Sequence, residues 1–413
     1  MNRELLVHVD RAGRPVLCGR LWTRSAPRES ASFEYDPAWL SRTDAFSLDP
    51  ELPLGGGQFH PAQPLFRAFT DPAPDRWGQT LLRRAERARA RREGRAPRTL
   101  TGVDFLALVD DQTRLGALRF QDATATEQGF LSSGGRPIPP VLALPKLLSA
   151  THRLIDEEET DDDLALVLAP GTSLGGARPK ASVLASDGRL LIAKFPRKDD
   201  DWPVTRWEAT TLALAKLAGI GVPVSRLEAV LRRPVLILER FDRDGATRIP
   251  FMSSMTALSA NDNESHSYLE LIDALRREGS RVTDDLRQLW RRMVFNILVS
   301  NTDDHLRNHG FIRDDVGWRL APAYDLNPTP TDVRPRVHAL AINEADGTSS
   351  LETALEVAPS FGLTASEART VAREVGRAVR GWRSIGVKFG LKPRDLERME
   401  SAFDHPDLEL ARA

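Results

Sequence analysis

Apolar and polar positions alternate where the chain begins. Leu5-Leu6-Val7-His8-Val9 and Val16-Leu17-Cys18-Gly19-Arg20-Leu21-Trp22 flank Arg11-Ala12-Gly13 and predict two paired strands; Ser32-Phe33-Glu34-Tyr35 predicts a third. Asp36-Pro37-Ala38-Trp39-Leu40 follows, with Asp at a cap and Pro in the first turn, and predicts a helical turn. The period then lengthens. A helix is expected from Asp75 to about Gly94 and again over Asp104–Val109, leading into a turn and strand that end at Phe120. Gly134, Gly135, Pro137, Pro139 and Pro140 mark a joint. Leu144 to Ile155 predicts a helix, and the acid run Asp156 to Asp163 should repel itself and stay solvated.

Strand patterning returns in Ala181–Leu184, in Leu190–Phe195 after the Asp187-Gly188 turn, and in Val235–Asp242. Between them a helix from Arg206 to about Ala218 should turn Leu212 and Leu217 inward. The remainder is helical: Ser267–Glu278, Thr283–Val299, Leu351–Val357, Ala365–Trp382 and Pro393–Phe403. Of these, Thr283–Val299 has the strongest stripe, Leu286, Leu289, Trp290, Met293, Val294 and Ile297, with Thr283 as the expected cap.

Composition narrows the class. A chain of 413 residues has room for two or three domains, and 41% hydrophobic with 28% charged residues is an ordinary globular balance. A net charge of −1 gives no global attraction to nucleic acid or membrane, so such a partner would need a local patch. Cys18 is the sole cysteine, which excludes an intrachain disulfide and a cysteine zinc site and fits a reducing cytoplasm. No signal peptide or membrane span is expected. The arginines of the Asp75–Gly94 helix (Arg83, Arg84, Arg87, Arg91 and Arg92) could meet nucleic-acid phosphates, but Glu86 and Glu93 interrupt them and favour a solvated face.

The chemistry gathers in residues 301–330. Asp303 precedes Asn308 by five positions, the run His309–Ile312 and the strand Trp318–Ala321 enclose a turn at Asp314–Gly317, and a second acid, Asp325, follows. Phosphoryl transfer from ATP in a kinase needs this set: one carboxylate to accept the proton of the attacking hydroxyl, and an Asn with a later Asp to hold the metal on the phosphates. Upstream, Ser173-Leu174-Gly175-Gly176-Ala177-Arg178-Pro179-Lys180 is a small-residue loop whose N–H groups could converge on an anion, with Lys180 adding charge at its end. Lys194 in an apolar strand and Glu208 in the next helix match the phosphate-anchoring ion pair, and Glu239 and Phe241 are the hinge candidates. Loop, lysine strand, glutamate helix, hinge, catalytic loop and metal acid thus occur in kinase order. Two other readings compete: a hydrolase with a metal on His305, His309 and the neighbouring acids, and a silent kinase-fold co-repressor subunit.

The segments Ser173–Lys180, Asn301–Asn308 and Ala323-Tyr324-Asp325 resemble the HipA serine/threonine kinases, toxins of bacterial toxin–antitoxin pairs. Residues 33–40 and 111–120 look like that family's N-terminal domain. The resemblance implies an α+β, protein-kinase-like two-lobed fold with an additional β-rich N-terminal domain. The expected division is 1–125 for that domain, 126–163 for a connector, 164–240 for the small lobe and 241–413 for the helical lobe. It implies Asp303 as catalytic base, and Asn308 and Asp325 as magnesium ligands. ATP would be held by Gly175, Gly176, Ala177, Arg178, Lys180, Lys194, Glu239, Phe241, His305 and Arg307, and Ser173 would be autophosphorylated. Arg307 stands where many members carry Lys, and a planar guanidinium contacts phosphate differently from an ammonium. The implied partners are a HipB-like helix-turn-helix antitoxin, operator DNA through it, and a protein substrate such as an aminoacyl-tRNA synthetase.

Overall fold

The computed structural model describes residues 2–25, 29–125, 129–131, 137–168, 178–344 and 346–412. They form two compact units. One comprises Met1–Lys198, Val230–Arg232 and Asp242–Met252; the other comprises Asp199–Ala229, Arg233–Phe241 and Ser253–Ala413.

The first unit is built on an antiparallel sheet. Its strands are β1 (Arg3–Arg11), β2 (Arg14–Arg24), β3 (Ser30–Tyr35), β4 (Gln58–Phe59) and β5 (Leu118–Asp122), in the order β4-β3-β2-β1-β5. The alternation seen in the sequence buries Leu5, Val7 and Val9 of β1, and Phe33, Tyr35, Phe66, Phe69 and Phe120 are buried in the same unit. Gly19 is required by space: a Cβ there would lie 2.3 Å from the Glu34 carbonyl oxygen and 2.5 Å from the Phe33 ring. Helices α1 (Pro37–Leu40), α2 (Arg67–Thr70), α3 (Arg76–Arg92) and α4 (Gly102–Leu108) follow in sequence between β3 and β5. Asp36 caps α1 through Ala38 N–H and Asp75 caps α3 through Gly78 N–H.

The Asp110–Phe120 motif acquires a reason. Arg114 is fully buried and donates to the carbonyls of Leu106 at 3.0 Å, Val109 at 2.8 Å and Pro72 at 3.3 Å, and burial pulls its guanidinium down to about 10. Asp111 accepts from Arg119 and Arg248, and Asp242 accepts from Gly116 N–H at 2.7 Å. These bonds stitch the returning stretch 242–252 onto the unit.

The acid run is mostly exposed, as expected, with Asp163 the buried exception. Helices α5 (Leu144–Ile155) and α6 (Asp161–Leu168) lie on either side of its core. Asp163 is buried and bonded to Arg153, whose hydrogen bond holds the carboxyl well below the usual range. Thr160 and Asp163 bond each other's backbone N–H groups reciprocally, the chemistry of a helix start. Strands β6 (Lys180–Leu184) and β7 (Leu190–Lys194) form an antiparallel hairpin with Lys180 opposite Lys194.

The second unit opens with α7 (Val204–Leu217), β8 (Ser225–Val230) and β9 (Arg233–Glu239). Leu212 is buried as expected, but Leu217 is exposed, because it is the last residue of α7 and the wheel has turned off the core. Next come α8 (Ser254–Ala257), α9 (Tyr268–Glu278) and α10 (Val282–Leu298). Every expected stripe residue of α10 is buried, while its N-cap is Arg281 rather than Thr283. Then follow α11 (Leu351–Val357), α12 (Ala365–Val379), α13 (Trp382–Lys388), α14 (Pro393–Arg398), α15 (Glu400–Phe403) and α16 (Pro406–Leu410). The single helices expected over 365–382 and 393–403 are each two, the first divided at Arg380-Gly381, the second at Met399. The breaks let Trp382 and Phe403 stack, with centroids 4.6 Å apart, beside Trp207 of α7. Among the described residues, no helix is long and apolar enough to cross a membrane.

Lys180, expected as a charge at the end of the small-residue loop, is buried instead and lies 2.6 Å from Asp75 Oδ2. One carboxylate therefore caps α3 with one oxygen and anchors β6 with the other. Asp75→Asn keeps the cap but removes the countercharge, and should lower unfolding stability by about 3–5 kcal/mol. Adding Lys180→Met should recover part of the loss in a denaturant double-mutant cycle. Additive losses would show that the two side chains do not depend on each other.

Candidate functional site

The site segment begins where α10 ends. Ser300 takes a left-handed conformation, with φ of 50°, its N–H bonds the Ile297 carbonyl at 3.3 Å and the Asn301 N–H bonds the Asn296 carbonyl at 2.9 Å. This is the double-bonded helix ending that usually carries glycine. Serine is used because its hydroxyl oxygen accepts from Arg336 Nε at 3.0 Å. Arg336 also donates to the Ile297 carbonyl and to Asp407 in α16 at 2.7 Å, and His405 Nε2 donates to the Leu298 carbonyl, 107 residues earlier.

Beneath the segment lies a buried polar cluster. Asp304 is 1% exposed, accepts from His309 Nε2 at 2.9 Å and from the Tyr268 hydroxyl, and Asn296 Nδ2 donates to that hydroxyl at 3.1 Å. Asn301 Nδ2 donates to Asn296 Oδ1 at 3.1 Å. Burial alone would raise the Asp304 carboxyl, but the facing His309 and the Tyr268 hydroxyl outweigh it and hold the group below the usual range. Burial, with the Asp304 charge beside it, pushes the Tyr268 phenol well up. His305 was expected among the residues that hold ATP. It is exposed, whereas His309 is buried and bonded to Asp304 beneath the loop.

Above the cluster the chemistry faces outward. The Asp303 side chain is 69% exposed, with Arg334 Nη1 3.1 Å from its Oδ1. Such an exposed pair contributes at most about 1 kcal/mol and opens readily. Asn308 Nδ2 donates to the Asp303 carbonyl at 3.0 Å, which leaves Oδ1, the atom a hard cation takes, outside that bond. Beyond the hairpin Gly310–Arg313/Trp318–Leu320, the Tyr324 hydroxyl donates to the Arg307 carbonyl at 2.9 Å and its ring stacks on Phe241 at 5.6 Å. Tyr324 thereby ties the hinge candidate to the Asp303 loop. Asp325 itself adopts φ of 55°, a conformation that non-glycine residues hold chiefly at constrained sites. The Thr211 hydroxyl of α7 lies 2.6 Å from the Leu326 carbonyl and braces the turn.

The second unit therefore brings together Asp303, Arg307, Asn308, Tyr324 and Phe241 on one face of a rigid support. Glu239 ends β9, and Glu208 is buried in α7 one turn before Thr211. Lys194, half-buried at the end of β7, and Arg178 belong to the first unit. Ser173, Gly175, Gly176 and Ala177 lie outside the described residues. Of the ligands the hydrolase alternative would use, His309 and Asp304 are buried and bonded to each other. Sequence reading missed Asp304, Tyr268, Asn296, Asn301 and Arg336. Asp304 adjoins Asp303 in the chain, and only burial tells the two apart.

Two histidines here are buried and neutral. His338, bonded to Ser349, and His405 are each pulled down to about 4 by burial. Between pH 6.5 and 4 the unfolded chain binds protons that the folded chain refuses, so stability should fall as pH drops through that window and be flat above it. The expected loss is about 2 kcal/mol per histidine at pH 5. Thermal melts of His338→Asn and His405→Asn should show a shallower acid slope, and an unchanged slope in both would mean that neither histidine is buried neutral.

Comparison with known proteins places the chain. Residues 172–382 match the HipA-like C-terminal domain and residues 13–121 the HipA N-terminal domain. A Sinorhizobium fredii protein named "Putative kinase Y4mE" is 28% identical over 358 residues, covering 76% of this chain and 78% of the relative. A second from that organism, "Putative kinase Y4dM", is 30% identical over 207 residues, covering 42% and 50%. The HipA chain of a Shewanella oneidensis MR-1 toxin–antitoxin complex with HipB and operator DNA superposes with a TM-score of 0.67 over 99% of this chain and 96% of its own. At 17% identity, that likeness is one of fold.

Proposed function

The chain belongs to the HipA family, and from that premise we propose that it is an ATP-dependent serine/threonine protein kinase acting as the toxin of a toxin–antitoxin pair. The observation that carries this reading is the exposed Asp303 carboxylate on a loop whose Asn308 amide is bonded back to the Asp303 carbonyl. In the proposed reaction the acceptor hydroxyl oxygen attacks the γ-phosphorus of ATP. The new O–P bond forms as the bond to the β–γ bridging oxygen breaks, ADP leaves, and the hydroxyl proton passes to Asp303. Asn308 Oδ1 and the Asp325 carboxylate fit a magnesium ion, both being hard oxygen donors. The ion would supply positive charge against the triphosphate. Asp303 must release Arg334 to receive the acceptor, and the exposure of that pair makes this cheap. Phe241 and Tyr324, stacked beside the loop, offer an apolar rim for the nucleotide base.

The finer assignments are also part of the proposal. Ser173 would be the self-modified residue. The partner would be a HipB-like helix-turn-helix protein, in keeping with the Shewanella HipA, whose complex contains HipB and operator DNA. The phosphorylated target would be a component of translation, such as an aminoacyl-tRNA synthetase.

Asp303→Asn should keep nucleotide affinity within about twofold while lowering phosphoryl transfer by about 10²–10⁴. A variant with full transfer of label from ATP would remove Asp303 from the role of base. Ser173→Ala should abolish self-labelling, read by mass spectrometry of protein incubated with ATP; phosphate found on another residue would move the assignment there.

A further inference from the structure

The α3 arginines look interrupted in the sequence, yet in the structure the interruptions face away. Glu86 is buried and bonded to Arg95 and to the Arg98 N–H, and Glu93 is bonded to Arg89 and Arg95. At 100° per residue, Arg76, Thr80, Arg83, Arg87 and Arg91 fall within an arc of about 80°, while Glu86 and Glu93 stand to one side. All five are exposed. Among the described residues, none of the four arginines in that arc has a carboxylate partner; Arg83 donates to Gln79 and lies over the Phe105 ring, and neither is an anion. The remaining arginines of the region, by contrast, are neutralised. Arg84 pairs with Glu157 and Glu159, Arg92 with Asp161, and Arg98 with Asp104. The acids of the α5–α6 segment therefore flank the arc without consuming its charge.

We propose that this arc of α3 is a docking surface for the phosphate backbone of double-stranded nucleic acid. Arg83, Arg87 and Arg91 rise about 6 Å per step along a straight helix, each presenting a planar fork suited to phosphate oxygens. The arc holds no aromatic residue, so it has no platform for stacking the bases of a single strand. It holds no exposed apolar residue either, which an interfacial membrane helix requires. Contact is made to phosphates alone, without sequence choice. The arc belongs to the first unit and the Asp303 loop to the second, and binding here does not require that loop to transfer phosphate.

The test is full-length protein without ATP, titrated against a short fluorescent DNA duplex at several salt concentrations. The R83Q/R87Q/R91Q protein is compared with R369Q/R373Q/R377Q, which removes equal charge at equal spacing from exposed positions of α12. The α3 variant should lose tenfold or more in affinity and reduce the slope of log K against log salt by about 2.7. The α12 variant should change affinity less than twofold. Parallel titrations with an RNA duplex show which nucleic acid is preferred. Equal losses from both variants, no duplex binding by the parent, or α3-dependent binding to anionic phosphatidylserine vesicles but not to duplex would each overturn the proposal. Self-labelling with ATP should be unchanged in the α3 variant, so failure of the kinase reading and failure of this one are read separately.

Discussion

A single buried carboxylate organises the candidate site. Asp304 cannot be ionised inside the second unit unless donors surround it, and the chain supplies them from α9 through Tyr268 and from the start of the hairpin through His309. Satisfying that one group fixes the backbone on which Asp303 and Asn308 ride. Removing Asp304 would leave a phenol and an imidazole buried without their acceptor, so the loop, the hairpin and α9 hold together or fail together.

The pair Asp303 and Asp304 shows how a kinase-fold site separates duties between adjacent residues. The backbone aims one carboxylate at solvent and the other at the core. The outward acid meets Arg334 in a weak exposed contact; the inward one is bonded to His309 and gives the loop its rigidity. Asp325 adds a second constraint, a left-handed backbone between Tyr324 and Leu326, both of which are tied down.

Much of this was legible in the sequence, and the failures share a cause. Alternation in 5–9 and 16–22 and the stripe of α10 reported burial directly, and the strands and the helix are where they were expected. Local chemistry that depends on a distant partner was not legible. Lys180 reads as a phosphate ligand until Asp75, 105 residues earlier, is seen beside it. Within the acid run, Asp163 reads as solvated like its neighbours because nothing in its spacing announces Arg153 as its partner. Leu217 reads as core because a helical stripe continues on paper past the point where the helix stops. In each instance the deciding neighbour is remote in sequence, or the deciding fact is where an element ends.

The tie between Arg336 and Asp407 bears on how the protein is made. During synthesis, α10 and the Asp303 segment emerge long before residues 405–407, yet the helix ending at Ile297, Leu298 and Ser300 is fastened by Arg336 and His405, and Arg336 is itself seated by Asp407. A ribosome-bound chain lacking that stretch therefore carries the Asp303 loop on an unfastened support. Translation order alone would delay the fastening of this loop until the α16 stretch has emerged.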